Sequence, residues 1–287
     1  MDYPKSVPSV GLVGGKFVDE DTATGVQGSL IPSAWGNGVT DELLNVIKAA
    51  GLVPDEENNA QLLAAIKAVV VSPGVSPGRL IRIQVISTTQ VPSYHTDTKS
   101  ILVELFGGGG GGGGCAATGS GQASGGSPGS GGGYSKKRLA AGFVGVLITI
   151  GAGGAVAFAS NGSNGGVTSF GSIFSATGGT GGSAQGAVSS FPAFVGTNPP
   201  GYGVGGDING TGEWAQPTLL FSSASAFQNV GNSGSSRMGW GVRVPSDTAA
   251  ISATMGAGGS GVARSANLGS LPGGFGGQGF AIIYEYA

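Results

Sequence analysis

Few residues of this 287-residue chain have side chains suited to chemistry. His95 is the single histidine and Cys115 the single cysteine. A His/Cys metal site needs three or four ligands and a disulfide needs two cysteines, so neither can be built within one chain. Gly201 to Gly206 and Gly256 to Gly261 fit the dinucleotide pattern GxGxxG, but Pro199-Pro200 precedes the first where a strand is required. No glycine run is followed by GK[ST], so there is no P-loop. Gly125-Gly126-Ser127-Pro128-Gly129 fits the nucleophile elbow, whose histidine should follow the serine, whereas His95 precedes it. Asp207 and Glu213 are the close acidic pair of the C-terminal part. Glycoside hydrolysis needs two acids about 5–10 Å apart. Cys115 reads as a small buried apolar residue and His95 as exposed on a turn. The expectation is a protein without catalytic residues, metal or cofactor.

What remains is contact chemistry. Tyr202, Trp214, Phe227 and Trp240 sit among glycine and serine with few other apolar neighbours. They either plug gaps in a glycine-rich core or form an exposed binding patch, since rigid aromatics among Gly, Ser and Asn have the composition of binding loops.

These aromatics must be positioned by a chain that holds 61 glycines, about three times the usual share of ~7%. Eight are consecutive, Gly107 to Gly114, directly after the strand-like run Ile101 to Phe106. Ordering glycine costs more backbone entropy than ordering any other residue. Such a run is therefore either a loose linker or a threefold polyproline-type helix packed among others like it. Further glycine-rich stretches at 119–133, 151–154, 161–166, 178–186, 201–212, 256–261 and 273–279 supply the neighbours, so a folded module is expected. The lack of a strict G-X-Y period disfavours collagen. The 12 Phe, 6 Tyr and 3 Trp disfavour a disordered tail.

Charge is uneven. Residues 1–71 carry nine acids and four bases; the remainder carries six and nine, with no charge at all from Leu139 to Gly206. The overall −2 argues against nucleic-acid binding. The N-terminus has no secretory pattern, so a bacterial or viral protein made in the cytoplasm fits. Lys136-Lys137-Arg138 before the uncharged run 139–159 resembles a membrane helix and its flank. Five glycines and the alternation Val144, Val146, Ile148, Ile150 instead predict a strand over 142–150 and no membrane insertion.

Elsewhere residues 1–31 read as an irregular, extended segment, in which Asp19-Glu20-Asp21 is a solvated loop. Helices follow over about 33–50 and 59–71. Leu43, Leu44, Ile47, Leu62 and Ile66 give these helices apolar faces larger than two short helices can bury, which predicts oligomerisation. Residues 72–78 read as a linker and 79–287 as the glycine-rich domain. Strands are expected at 79–87, with Ile81, Ile83 and Val85 on the covered face, at 99–106 and at 280–286. The fold class is thus mixed: a short helical segment, then a β-rich body with polyglycine II-type helices, extended and oligomeric.

Two regions carry a family resemblance. The run GSLIPSAWGNGVTDELLNVIKAAGLVP followed by NNAQLLAAI is similar to a bacteriophage tail-fibre pattern, through Trp35, Asn37, Glu42, Ile47, Gly51, Pro54, Gln61, Leu62 and Ile66; Gly36 departs from it. The succession VELFGGGGGGGG, GSGGGYSKKRL, VLITIGAGG, GSNGGVTSFGS, ATGGTGG, with the closing GGFGGQGFAIIYEYA, resembles the glycine-rich domains that end such fibres. The resemblance implies a homotrimeric or otherwise oligomeric virion protein. Its N-terminal part would join baseplate or tail-tip proteins, and its C-terminal part would bind a bacterial outer-surface receptor, here through Tyr202, Trp214, Phe227 and Trp240. The competing readings are a glycine-rich structural or surface-coat protein without receptor and a tail-associated glycan depolymerase.

Overall fold

The computed structural model describes residue 5 and residues 7–71, 78–225 and 228–287, so the predicted linker lies almost entirely outside the described residues. The chain divides into two compact units, Met1–Pro77 and Gly78–Ala287. It is a mixed fold, with two short helices in the first unit and a mostly β second unit.

In the first unit α1 spans Ser33–Ala49 and α2 spans Gln61–Val71. Lys48 lies in the last turn of α1, and Gly51 follows it at φ 74°, the left-handed residue that ends a helix. Ile47 and Ala65 are buried. Phe17 packs edge-on against Trp35 at 5.1 Å. Within the acidic trio, Asp21 is a turn former: its carboxylate accepts from the Thr24 hydroxyl and from the backbone N–H groups of Ala23 and Thr24. Those hydrogen bonds, the Thr24 hydroxyl first, hold its pKa below the usual value.

In the second unit the eight glycines are packed, not loose: all of 107–114 is buried. Their amides donate at 2.8–3.1 Å in strict rotation among three antiparallel segments. Gly107, Gly110 and Gly113 donate to Gly133, Ser130 and Ser127; Gly108, Gly111 and Gly114 to Gly166, Ser163 and Ser160; Gly109, Gly112 and Cys115 to Gly277, Gly274 and Leu271. The carbonyls of Gly108 to Gly111 accept in turn from Gly179, Gly154, Gly259 and Gly182, on three further segments that run parallel. The register advances three residues per repeat, the period of a polyproline II-type chain. Six segments thus surround a central one.

A Cβ on Gly110 would overlap the Thr180 carbonyl, and one on Gly112 the Ser260 carbonyl; backbone meets backbone, with no flexible side chain to move aside. A net hydrogen bond contributes about 1 kcal/mol, comparable to the entropy cost of ordering one residue. The array alone is therefore close to balance, and apolar cores at its two ends supply the surplus.

The larger core lies at the end where Phe106 enters the array. A five-stranded antiparallel sheet covers it, in the order β1 (Leu80–Ile86), β15 (Phe280–Tyr286), β2 (Ser100–Phe106), β4 (Tyr134–Leu139), β11 (Ile208–Gly210). Beneath it runs a second sheet of β10 (Gly203–Val204), β7 (Phe174–Ala176), β6 (Thr168–Phe170) and β5 (Ile148–Thr149). Ile101, Val103, Leu105 and Ile283 pack on Phe143, Ile148, Phe170 and Phe174. A smaller core of Ala123, Leu220, Val230, Val244 and Ala263 closes the opposite end. There β14 (Val262–Arg264), β3 (Ala123–Gly126) and β8 (Ala184–Val188) form one sheet, and β13 (Gln228–Asn229), β12 (Thr218–Leu220) and β9 (Ala193–Val195) another.

Two expectations are corrected. The strand is 134–139, not 142–150, of which Ile148–Thr149 alone is strand. The cations of β4 are tolerated because Lys136 pairs with Glu104 at 2.9 Å and Lys137 with Asp207 at 3.2 Å. The faces of β1 are also reversed. Ile83 and Val85 are exposed, while Arg82 and Gln84 lie on the covered face, where Glu285 is fully buried. The Glu285 carboxylate accepts from Arg82 Nε at 2.6 Å, Gln84 Nε2 at 2.7 Å, the His95 amide at 2.8 Å and Thr98 Oγ1 at 2.7 Å. A loop 87–99 therefore closes over a polar face. No helix among the described residues is long and apolar enough to cross a membrane.

Candidate functional site

The hydrogen-bond register orders every segment along the array and so sorts the connecting loops between its ends. Residues 107, 133, 152, 166, 177, 256 and 277 lie at the sheet end, and 114, 127, 157, 160, 183, 260 and 271 at the other. The connections 115–126, 157–160, 184–197, 219–230, 245–250 and 262–270 therefore share one end, the loop end.

Tyr202, Trp214 and Trp240, the predicted aromatics among the described residues, are not gathered there. Tyr202, exposed, pairs its backbone with Thr177 at the sheet end. Trp240, 87% exposed, stands on a sheet-end turn. Three serines fix that turn: Ser236 Oγ accepts from the Gly239 amide at 2.7 Å, Ser235 Oγ from Gly241 at 3.0 Å and Ser233 Oγ from Val242 at 2.7 Å. Trp214, exposed, follows Glu213, whose carbonyl accepts from Gly131 partway along the array. Phe227 lies outside the described residues. None of the three described rings plugs the glycine core.

The loop end instead displays Phe158, Phe194 and Phe221, all more than half exposed. Phe194 lies opposite Leu219 across β9 and β12, so these two share a face, and Phe221 follows directly after the end of β12. The other face of β12 is buried through Thr218 and Leu220. The sequence carried a hint: Phe191 to Phe194 and Leu219 to Phe221 interrupt long uncharged, small-residue stretches. Only the register shows that they meet.

The loop end is also nearly without charge. Its loops contain Asp247 and Arg264, with Arg243 just beneath. Asp247 accepts from the Ser265 amide and hydroxyl at 2.8 and 2.7 Å. Arg264 donates to the carbonyls of Gly269 and Asp247, each at 2.9 Å.

The other candidates resolve individually. Asp207 accepts from Lys137 Nζ at 3.2 Å and from the Arg138 amide at 2.9 Å. That amide first, then Lys137, lowers its pKa, opposite to what a general acid needs. Glu213 accepts from the Ser235 amide at 3.4 Å. Cys115 is buried, and burial pushes its thiol pKa up, as for an inert cysteine. His95 is exposed, with Nδ1 accepting from the Asp97 amide at 3.2 Å. Among the described residues no cluster of His, Cys, Asp or Glu could hold a metal ion.

Of the residues expected to drive oligomerisation, Ile47 is buried and Leu44 and Leu62 half-buried within the first unit, while Leu43 and Ile66 remain exposed. No family model and no curated protein matches the chain.

Proposed function

We propose that the chain is a bacteriophage tail-fibre adhesin that binds a bacterial surface receptor without covalent chemistry. In this reading the first unit attaches it to the virion tail and to further copies, and the loop end of the second unit meets the host. One observation carries the proposal. A backbone-locked glycine array holds six loops at one end, and those loops present exposed phenylalanines on a nearly charge-free surface. Loops fixed in this way need little further ordering on binding, so contact area converts to affinity at low entropic cost.

Host adsorption of particles carrying loop-end variants tests the reading. Phe194→Ala and Phe221→Ala should each cost about 2 kcal/mol of binding, roughly thirtyfold, as aromatic anchors do. Raising salt from about 50 to 200 mM should change adsorption little, since few ions are released from an uncharged surface. Normal adsorption by both variants, with the fold unchanged, sinks the assignment of the loop end. Release of shortened glycans from host envelope polysaccharide by the purified chain would favour a depolymerase instead.

A further inference from the structure

The first unit carries a groove that the adhesive reading does not use. It lies between α1 and α2, is open to solvent, and has a volume of about 630 Å³. Leu43, Leu44, Ile47 and Leu62 make its floor, and Asp55 and Glu56 stand on its rim. The rim is held in place. Gln61 Nε2 donates to the Val53 carbonyl at 2.7 Å, and its Oε1 accepts from the Asp55 amide at 2.9 Å. Asp55 Oδ1 accepts from the Glu57 amide at 3.0 Å, which closes a tight turn. Both rim carboxylates are exposed, and Leu43 leaves 45% of its surface to solvent. The groove is thus a preformed trough with an apolar strip, polar walls that include Thr40, Asn58 and Asn59, and two carboxylates.

We infer that this groove docks a basic, amphipathic segment of another protein, with an apolar stripe on the floor and Lys or Arg facing Asp55 and Glu56. This is the helix-in-groove mode of recognition, with charge setting the choice of partner. A second copy of the chain fits less well. It would bring the same excess of five acids over bases in residues 1–77 against an already acidic rim. Within the tail-fibre reading, on which this placement rests, such a partner belongs to the attachment site on the virion. The docking chemistry itself is testable without virions or cells, so failed adsorption and failed docking are separate results.

The probes are two fluorescently labelled amphipathic peptides of roughly 18 residues with identical leucine spacing, one with lysine on its polar face and one with glutamate. Against the full chain, the leucine–lysine peptide should bind saturably, with slowed hydrogen exchange confined to residues 40–62. Asp55→Asn with Glu56→Gln should weaken it about fivefold, while Asp19→Asn with Glu20→Gln, an equal charge change outside the groove lining, should leave it unaltered. The amide oxygen introduced by Asp55→Asn still accepts from the Glu57 N–H, and thermal melting checks that both double variants fold. Equal binding of the two peptides, equal loss in the two double variants, or protection outside 40–62 overturns the inference. So does a chain that self-associates through the groove, seen as an oligomer that Leu43→Asp dissociates and the leucine–lysine peptide cannot disrupt.

Discussion

At the sheet end of the glycine array, Glu104, Asp207 and Glu285 meet Lys136, Lys137 and Arg82 within 3.2 Å; at the loop end, the charged residues of the loops, Asp247 and Arg264, are tied to their own neighbours. The two ends rest on the same lattice of backbone hydrogen bonds, yet one is cross-linked by ion pairs and the other exposes phenylalanine. The central run Gly107 to Gly114 has no side chains, and the segments around it add mainly small serines that bond to neighbouring backbone. Specificity is therefore delegated to whatever caps them. A frame of this kind tolerates change in its loops while forbidding it in its core.

The largest effect should come from the frame itself. Gly110→Val places a branched side chain against the Thr180 carbonyl, where the neighbours are backbone and cannot rotate away. The cost should reach or exceed the upper end of the roughly 1–3 kcal/mol typical of overpacking. Gly186→Ala, at a loop-end strand position with open space around the missing Cβ, should stay within about 0.5 kcal/mol. Chemical denaturation of both variants separates frame from loops; an unchanged midpoint for Gly110→Val would mean that the run is a linker.

A smaller effect is expected at the sheet end. Glu285→Gln removes the charge that holds Arg82 and the 93–98 segment, at a cost of about 2 kcal/mol for charged hydrogen bonds. Burial pushes the Glu285 pKa up, but Arg82, the His95 amide, Thr98 and Gln84 together pull it below its ordinary value. A depressed carboxylate contributes stability that is fully present above the unfolded value, near 4.5, and lost as pH falls through the folded one. Wild type should therefore lose stability on acidification below about pH 4.5 more steeply than Glu285→Gln. Parallel pH profiles for the two proteins would contradict this account of the loop.

The smallest effect should come from the exposed sheet-end aromatics. Tyr202→Ala and Trp240→Ala should change stability by no more than about 0.5 kcal/mol, because both rings are mostly in solvent. They should also leave adsorption intact. A strong adsorption defect in either, with Phe194→Ala normal, would move the binding surface to the sheet end and reverse the comparison.

Much of this was legible in the sequence, for reasons that also explain the rest. The helices and β2 carry apolar periodicities that survive in the structure, the closing strand forms where its alternation places it although its buried face is Ala281, Ile283 and Glu285, and a polyglycine run with many glycine-rich partners already implies packing. β4 was hidden because three adjacent cations resemble a flank rather than a strand; their partners, Glu104 and Asp207, are remote in sequence. The alternation of β1 points to the wrong face because Glu285, some 200 residues away, makes the polar face the covered one. The loop-end phenylalanines do not stand out in the sequence because glycine segments carry no pattern that reveals their order. Without that order, Phe158, Phe194 and Phe221 are unrelated rings.

Hydrogen exchange of the Gly107 to Gly114 amides tests the central claim most directly. If these residues form the hydrogen-bonded centre of the array, all eight amides should exchange only through global unfolding, as slowly as the core strand Ile101 to Leu105, while those of the exposed loops exchange locally. Exchange of the glycine amides at the rate of an unprotected chain would show that no such array exists.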